Sequence, residues 1–169
     1  EVEPDRKALD EMVVELQKDV DRLELVAERF SKIGSHPKLE VDNVADHLNK
    51  CLDYITHRSS KQVVFNVTTN DKIKALLNPP LFYCEIEKVL KNALDAMDGK
   101  GTIDVSLIQE NGKAIIDISD SGKGIPSSNF SDVFQPGFST KKRGWGLGLA
   151  LSYRIIEQYH KGKIFVKQS

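Results

Sequence analysis

Asp120-Ser121-Gly122-Lys123-Gly124-Ile125 directly follows a strand-like run at residues 114–118. Two glycines one residue apart let the main chain approach a ligand closely, and the aspartate ahead of them can accept a hydrogen bond from an amino group. Taken alone, the stretch has a plainer explanation, an aspartate-glycine turn closed by an Asx hydrogen bond. Downstream, Gly144-Trp145-Gly146-Leu147-Gly148-Leu149 opens a helix that runs over 147–159. Backbone N–H groups at such a start, with the positive end of the helix dipole, can cradle phosphates. The stretch is not a dinucleotide fingerprint, because strand and acidic partner are misplaced. It is not a P-loop either, because no Gly-Lys-Ser/Thr follows. Upstream, Asn92 lies in a helix whose apolar positions are Phe82, Ile86, Val89, Leu90, Ala93, Leu94 and Met97. Asparagine is a poor residue inside a helix, so it either satisfies a local hydrogen bond or serves a ligand.

The surrounding chain fills in an architecture. Asn78-Pro79-Pro80 suits the first turn of the Asn92 helix, and Gly99 with Gly101 ends it. Strands are expected at 102–108 and 114–118 around Asn111-Gly112, a strong hairpin signal. Further strands are expected at 63–67 and 73–77, and a strand-like run begins near Lys163. A helix over 42–55 has Val44, Ala45, Leu48, Cys51, Leu52 and Ile55 on one face. Residues 120–145 read as irregular. Helices with antiparallel strands suggest an α+β sandwich, helices on one face of a sheet. Ahead of it, Leu9, Val13, Leu16, Val20, Leu23, Ala27 and Phe30 alternate four-residue and three-residue steps, a heptad seam with charged residues on the other faces. Pro4-Asp5 suits the start of that long helix and Gly34 its stop. The seam needs partner helices, from the same chain or another copy; the plainer alternative is a helix lying across its own domain. The expected division is 1–35 for this coiled-coil-like helix, 36–40 as a linker containing Pro37, and 41–169 for the sandwich.

Bulk properties narrow the classes. A 169-residue chain with 40% hydrophobic and 29% charged residues is that of a globular protein of one domain, or one domain plus an appendage. A net charge of -1 argues against a general nucleic-acid binder, which would carry a basic stripe. Cys51 and Cys84 form neither a disulfide framework nor a metal motif, and a reducing compartment is the simpler expectation. No apolar run approaches the roughly 18 residues of a membrane helix.

In order, the stretches Lys91-Asn92-Ala93-Leu94-Asp95-Ala96, Asp120-x-Gly-x-Gly, Phe134-Gln135-Pro136-Gly137-Phe138-Ser139-Thr140 and Gly144-x-Gly-x-Gly-Leu carry more than any one alone. Together they resemble the ATP-binding fold that histidine kinases share with gyrase and the heat-shock chaperone ATPases: its N box, first glycine box, F box and second glycine box. The finer likeness is to sensor histidine kinases of the nitrogen-regulator type with a short lid. Residues 24–35 look like the end of their second dimerisation helix.

The resemblance implies a Bergerat-type two-layer sandwich and a set of roles. Asn92 would coordinate magnesium bridging the ATP phosphates. Asp120 would accept from the adenine amine, with Gly122 and Gly124 leaving room for the ring. Gly144, Gly146, Leu147 and Gly148 would form the lid hinge and phosphate loop. Thr140, Lys141, Lys142 and Arg143 would bring lid cations toward phosphate, the alternative being a solvated loop. Phe134 and Phe138 would anchor the lid, and Trp145 fits either role. The implied activity is transfer of the γ-phosphoryl of ATP to a histidine on the dimerisation domain, for relay to a response-regulator aspartate. A homodimer in the cytoplasm is implied, with a membrane-tethered sensor domain compatible in the parent protein. A related ATPase or serine kinase, or a non-catalytic nucleotide-sensing dimerisation module, are the alternatives.

Three departures qualify the resemblance. None of His36, His47, His57 and His160 has the family's phosphoacceptor context, so the acceptor helix is expected to be absent and self-phosphorylation of the isolated chain is not expected. The Gly-Thr-Thr-Phe strand that closes the family's sheet is also expected to be missing. Finally, four residues before Asn92, where these kinases carry a second asparagine and the chaperone and gyrase ATPases a glutamate, stands Lys88. Its ammonium can meet a phosphate or repel the magnesium that Asn92 would hold, and repulsion is the larger effect expected; pairing with Glu85 or Asp95 on the same face would reduce it. Glu87, one position off, points about 100° away.

Overall fold

The hairpin at Asn111-Gly112 anchors the sheet. Both residues take left-handed backbone, φ 50° and 75°, as a two-residue turn of type I′ requires. The computed structural model describes residues 9, 12–14, 16–17, 20, 37–140 and 146–167. The chain divides into two units, residues 1–37 and 38–169. In the first, Leu9, Val13, Leu16 and Val20 of the seam are helical and exposed. Leu23, Ala27, Phe30 and His36 lie outside the described residues.

The second unit runs β1 (Glu40–Asn43), α1 (Val44–Arg58), β2 (Val63–Thr68), β3 (Lys74–Leu77), α2 (Pro79–Ala96), β4 (Gly101–Glu110), β5 (Lys113–Asp120) and α3 (Gly148–Tyr153). Short 3-10 turns sit at Ser127–Asn129 and Asp132–Phe134, and α3 widens into a π-helical turn at Arg154–Tyr159. β2, β4 and β5 form one sheet in that order, and β1 pairs antiparallel with β3 in a separate ribbon. β4 and β5 are antiparallel, but β2 and β4 are parallel, joined by a crossover that contains β3 and α2. The expected antiparallel strands are found in β4–β5 and β1–β3, and the parallel β2–β4 pair departs from them: a parallel pair needs such a crossover, and α2 supplies it.

The core fills the space between the sheet and two helices. Val44, Ala45, Leu48, Cys51, Leu52 and Ile55 of α1, and Phe82, Ile86, Leu90 and Ala93 of α2, meet Ile103, Val105 and Leu107 of β4. Side chains alternate across a strand, so Ile103, Val105 and Leu107 share one face, and their partners Asp120, Ile118 and Ile116 share it too. Asp120, the last residue of β5, is therefore on the helix side of the sheet, at the rim of the core.

Two further expectations change. The helix expected from residue 42 starts at Val44. Asn43 is its N-cap, its side chain accepting from Ala45 N–H at 2.9 Å, while Glu40–Asn43 is taken into a ladder with β3. The strand expected near Lys163 forms no ladder among the described residues. Residues 161–167 are irregular, and Lys167 reaches β5 through its side chain, Nζ to Asp117 Oδ2 at 2.7 Å. A strand-like composition makes a strand only where a neighbouring backbone accepts the ladder.

Candidate functional site

Helix α2 organises the site. Asn78 caps it, accepting from Leu81 N–H at 3.1 Å, with proline in the first turn. Its far end, at Ala96, receives the first glycine stretch. Lys123 N–H donates to the Ala96 carbonyl at 3.2 Å. A Cβ on Gly122 would lie 2.7 Å from the Ala96 carbonyl carbon and oxygen and from Asp120 Oδ1, so only glycine fits. Asp120 Oδ1 accepts from Gly122 N–H at 2.8 Å. The Asx turn and the glycine approach read from the sequence are thus one arrangement, and the carboxylate keeps further lone pairs for a ligand. Gly124 has φ 68° and open space around it, a conformation that suits glycine.

Helix α3 and its π-helical extension lie antiparallel to α2, pinned at two points. His160 Nε2 accepts from Asn78 N–H at 3.0 Å, which leaves the ring proton on Nδ1 to donate to the Ile155 carbonyl at 3.0 Å. His160 is therefore structural, as its place before Gly162 suggests. At the other end Lys88 Nζ donates to Glu85 Oε1 and Oε2, at 2.9 and 3.1 Å, and to Ser152 Oγ at 3.3 Å. Glu85 is 2% exposed, Lys88 9% and Ser152 0%. Gly148, one turn before Ser152, also faces Lys88, whose Cδ is 3.8 Å from where a Cβ on Gly148 would stand, whereas Gly122 meets Ala96. The last two turns of α2 thereby sit between the two glycine stretches.

Gly146 has φ 65°, and a Cβ there would collide with the backbone of Gly137 and Phe138. Gly137 N–H also donates to the Gly146 carbonyl at 3.0 Å. Phe134 packs against Tyr153 of α3, ring centroids 6.0 Å apart, beside the buried Val133. Thr140 is exposed; Lys141, Lys142, Arg143, Gly144 and Trp145 lie outside the described residues.

The sequence left Lys88 three choices, and in the structure its charge is taken up by Glu85. Glu87 is engaged elsewhere, with Lys91 at 2.6 Å. Sequence reasoning missed Ser152, a buried hydroxyl whose only signal is its contact across helices. Burial pushes the Cys51 thiol up to about 12, and neighbouring Glu87 adds to this. Cys51 is thus no thiolate nucleophile.

The rim of this sandwich, with an acceptor at a strand end and glycine stretches flanking one helix, defines a nucleotide-binding class of protein. Residues 85–169 match the family described as "Histidine kinase-, DNA gyrase B-, and HSP90-like ATPase". The chain belongs to that family, and its place in it is the ATP-binding domain of histidine kinases. It is 32% identical over 163 residues to "Sensor histidine kinase ZraS" of Salmonella typhimurium, covering 93% of this chain and 35% of that protein. It is 26% identical over 170 residues to "Nitrogen regulation protein NtrY" of Azorhizobium caulinodans, covering 95% and 22%. The chain therefore spans about a third or less of these relatives' length. Among solved structures, histidine kinase ThkA in complex with response regulator protein TrrA shares its fold, with a TM-score of 0.78 at 20% identity, covering 98% of this chain and 49% of that one. No helix of the described residues is long and apolar enough to cross a membrane.

Proposed function

We propose that this chain is the ATP-binding catalytic part of a two-component sensor histidine kinase. It would transfer the γ-phosphoryl of ATP to a histidine on a dimerisation domain, for relay to an aspartate of a response regulator. The observation that carries the reading is the placement of Asn92 in the stretch of α2 flanked by Gly122 on one side and Gly148 on the other. In this reading Asp120 accepts from the adenine amine beside Gly122 and Gly124. Thr140, Lys141, Lys142, Arg143, Gly144, Gly146, Leu147 and Gly148 serve the phosphates. Residues 1–35 supply part of a dimerisation domain, with 36–40 as linker and 41–169 as the catalytic domain. The seam at Leu9, Val13, Leu16 and Val20 suits a homodimer, its exposed apolar side chains needing a partner. A response regulator as partner is supported by the complex formed by ThkA.

Magnesium fits the donor set. No group of three or more His, Cys, Asp or Glu among the described residues could hold a metal by itself. That suits an ion held mainly by nucleotide phosphates and one protein oxygen, as magnesium commonly is. Asn92 offers that oxygen; Lys88 offers none. When bound, magnesium would neutralise phosphate charge. The chain's own work is positioning: Asp120 orients the base, the N–H groups around Gly146–Gly148 hold phosphate oxygens, and the rim of the core limits water. The buried Lys88 carries no carboxylate to activate water, which favours transfer to a protein side chain over hydrolysis.

Calorimetry on Asp120→Ala tests the reading. Loss of one acceptor for the adenine amine, about 1–3 kcal/mol, weakens ATP binding roughly ten- to hundredfold. Equal binding of ATP and GTP, unaffected by the substitution, would overturn it.

A further inference from the structure

Lys88 is the chain's own departure from the pattern it otherwise follows, and its surroundings show what it does instead. Its ammonium is buried, takes both oxygens of Glu85 and reaches across to Ser152. Glu85 and Lys88 are three residues apart on the same helix, so the pair itself joins nothing. The contact that joins two elements is the one to Ser152. Ser152 Oγ in turn donates to the Gly148 carbonyl at 3.3 Å, and the Lys88 stem lies under Gly148, with Cδ 3.8 Å from where a Cβ would stand. The lysine thus meets α3 at two places one turn apart, its stem under Gly148, which closes the second glycine stretch, and its head at Ser152.

A buried ion pair is a poor way to gain stability, because desolvating two charges cancels much of their attraction, and apolar side chains of the same size do as well or better. What a charged, hydrogen-bonded group supplies is a fixed distance and direction. Here the direction is from the asparagine helix to the glycine stretch. On its other side that stretch is fixed to Gly137, through the Gly146 carbonyl and the close approach of the two backbones. Residues 146–148 are therefore held between a backbone contact and a lysine.

We infer that Lys88 is a positioning residue for nucleotide phosphates: with Glu85 neutralising its charge, it ties Gly148 and Ser152 to the helix of Asn92 and sets where the N–H groups of the second glycine stretch point. The inference rests on the nucleotide site proposed above. Lys88 touches no phosphate in this role. It acts through Gly148, and Glu85 acts through Lys88.

The role predicts an asymmetry between the two ends of a nucleotide. The base is read at Asp120, at the far end of α2, where the first glycine stretch is held by backbone contacts to Ala96. The phosphates are read where Lys88 acts. Ser152→Ala removes the cross-helix contact and leaves the Glu85–Lys88 pair intact. Lys88→Leu with Glu85→Leu removes both charges together, so that no carboxylate is left buried alone. The full chain and both variants are titrated calorimetrically with ATP and with adenosine, in magnesium, and melted without ligand. Both variants are expected to bind ATP about tenfold more weakly while adenosine affinity stays within about twofold, whatever the melting temperature does. Unchanged ATP affinity in folded variants overturns the inference, and so does an equal loss for ATP and adenosine, the signature of a merely structural contact. If the double variant fails to fold, Ser152→Ala decides by the same criteria. Asp120→Ala serves as the control. If it leaves both ligands bound as before, the nucleotide-site reading has failed and this inference with it. If it weakens both ligands while Ser152→Ala weakens neither, only the inference has failed.

Discussion

The two glycine stretches of this domain are held in different ways. The first is locked to α2 by main chain: Lys123 N–H on the Ala96 carbonyl, and Gly122 pressed so close to that carbonyl that no side chain fits. Among the described residues the second has its backbone contact with Gly137, while toward α2 Gly148 faces the stem of Lys88, whose ammonium reaches Ser152 one turn further on. A main-chain lock depends on few side chains, so the end of the site near Asp120 is set as soon as β5 and α2 are in place. A side-chain tie fixes distance and direction only while its partner residues are present. The end near Gly148 is therefore the one that side-chain substitution can release.

Substitutions at the contact points can break or sharpen this contrast. The largest effect is expected for Gly122→Ala. A methyl 2.7 Å from two backbone atoms of Ala96 must push β5 and α2 apart, and overpacking of this kind costs about 1–3 kcal/mol. Urea unfolding measures it, and an unchanged midpoint would mean the first lock is looser than its geometry. Smaller, about 1 kcal/mol, is the expected cost of His160→Ala, which takes the acceptor from the partly buried Asn78 N–H and releases the far end of the α3 pin. The midpoint should fall while adenosine binding is retained; loss of adenosine binding would show that the two ends of the site are not independent. The smallest is a gain. Gly148 begins a helix with ordinary φ and no neighbour closer to a new Cβ than Lys88 Cδ at 3.8 Å. Gly148→Ala should raise stability by about 0.4–1 kcal/mol by restricting the unfolded chain, and a destabilised variant would reveal a tighter second stretch than the contrast allows.

Much of this was legible in the residues themselves, for local reasons. Asn111-Gly112 specified its turn, Asn78-Pro79-Pro80 its helix start, and Asp120-x-Gly-x-Gly its Asx turn, because each depends on a few adjacent residues. What escaped depended on distant partners. Glu40–Asn43 is four residues of mixed polarity that become a strand only because Lys74–Leu77 lies alongside. The pairing of Lys88 with Glu85 was readable as one option among three, since helical spacing puts both on one side. Ser152, which turns that pair into a link, carried no sign in its neighbours, because the link is made across 64 positions of sequence. The run at 163–167 has the composition of a strand and no ladder. Composition describes what a segment tolerates, not whether a neighbour offers it hydrogen bonds.

The parallel pairing of β2 with β4 has a consequence in time as well as in space. The β4–β5 hairpin closes over two residues, an event of microseconds in isolated hairpins. β2 can reach β4 only after the crossover holding β3 and α2 has been gathered in, and such non-local closures are the slow part of folding. The helix that bears Asn92 and Lys88 belongs to that crossover. Completion of the central ladder and delivery of the site's principal helix are therefore the same kinetic event. A nascent chain that has formed only the hairpin has half a rim and nothing to set it against.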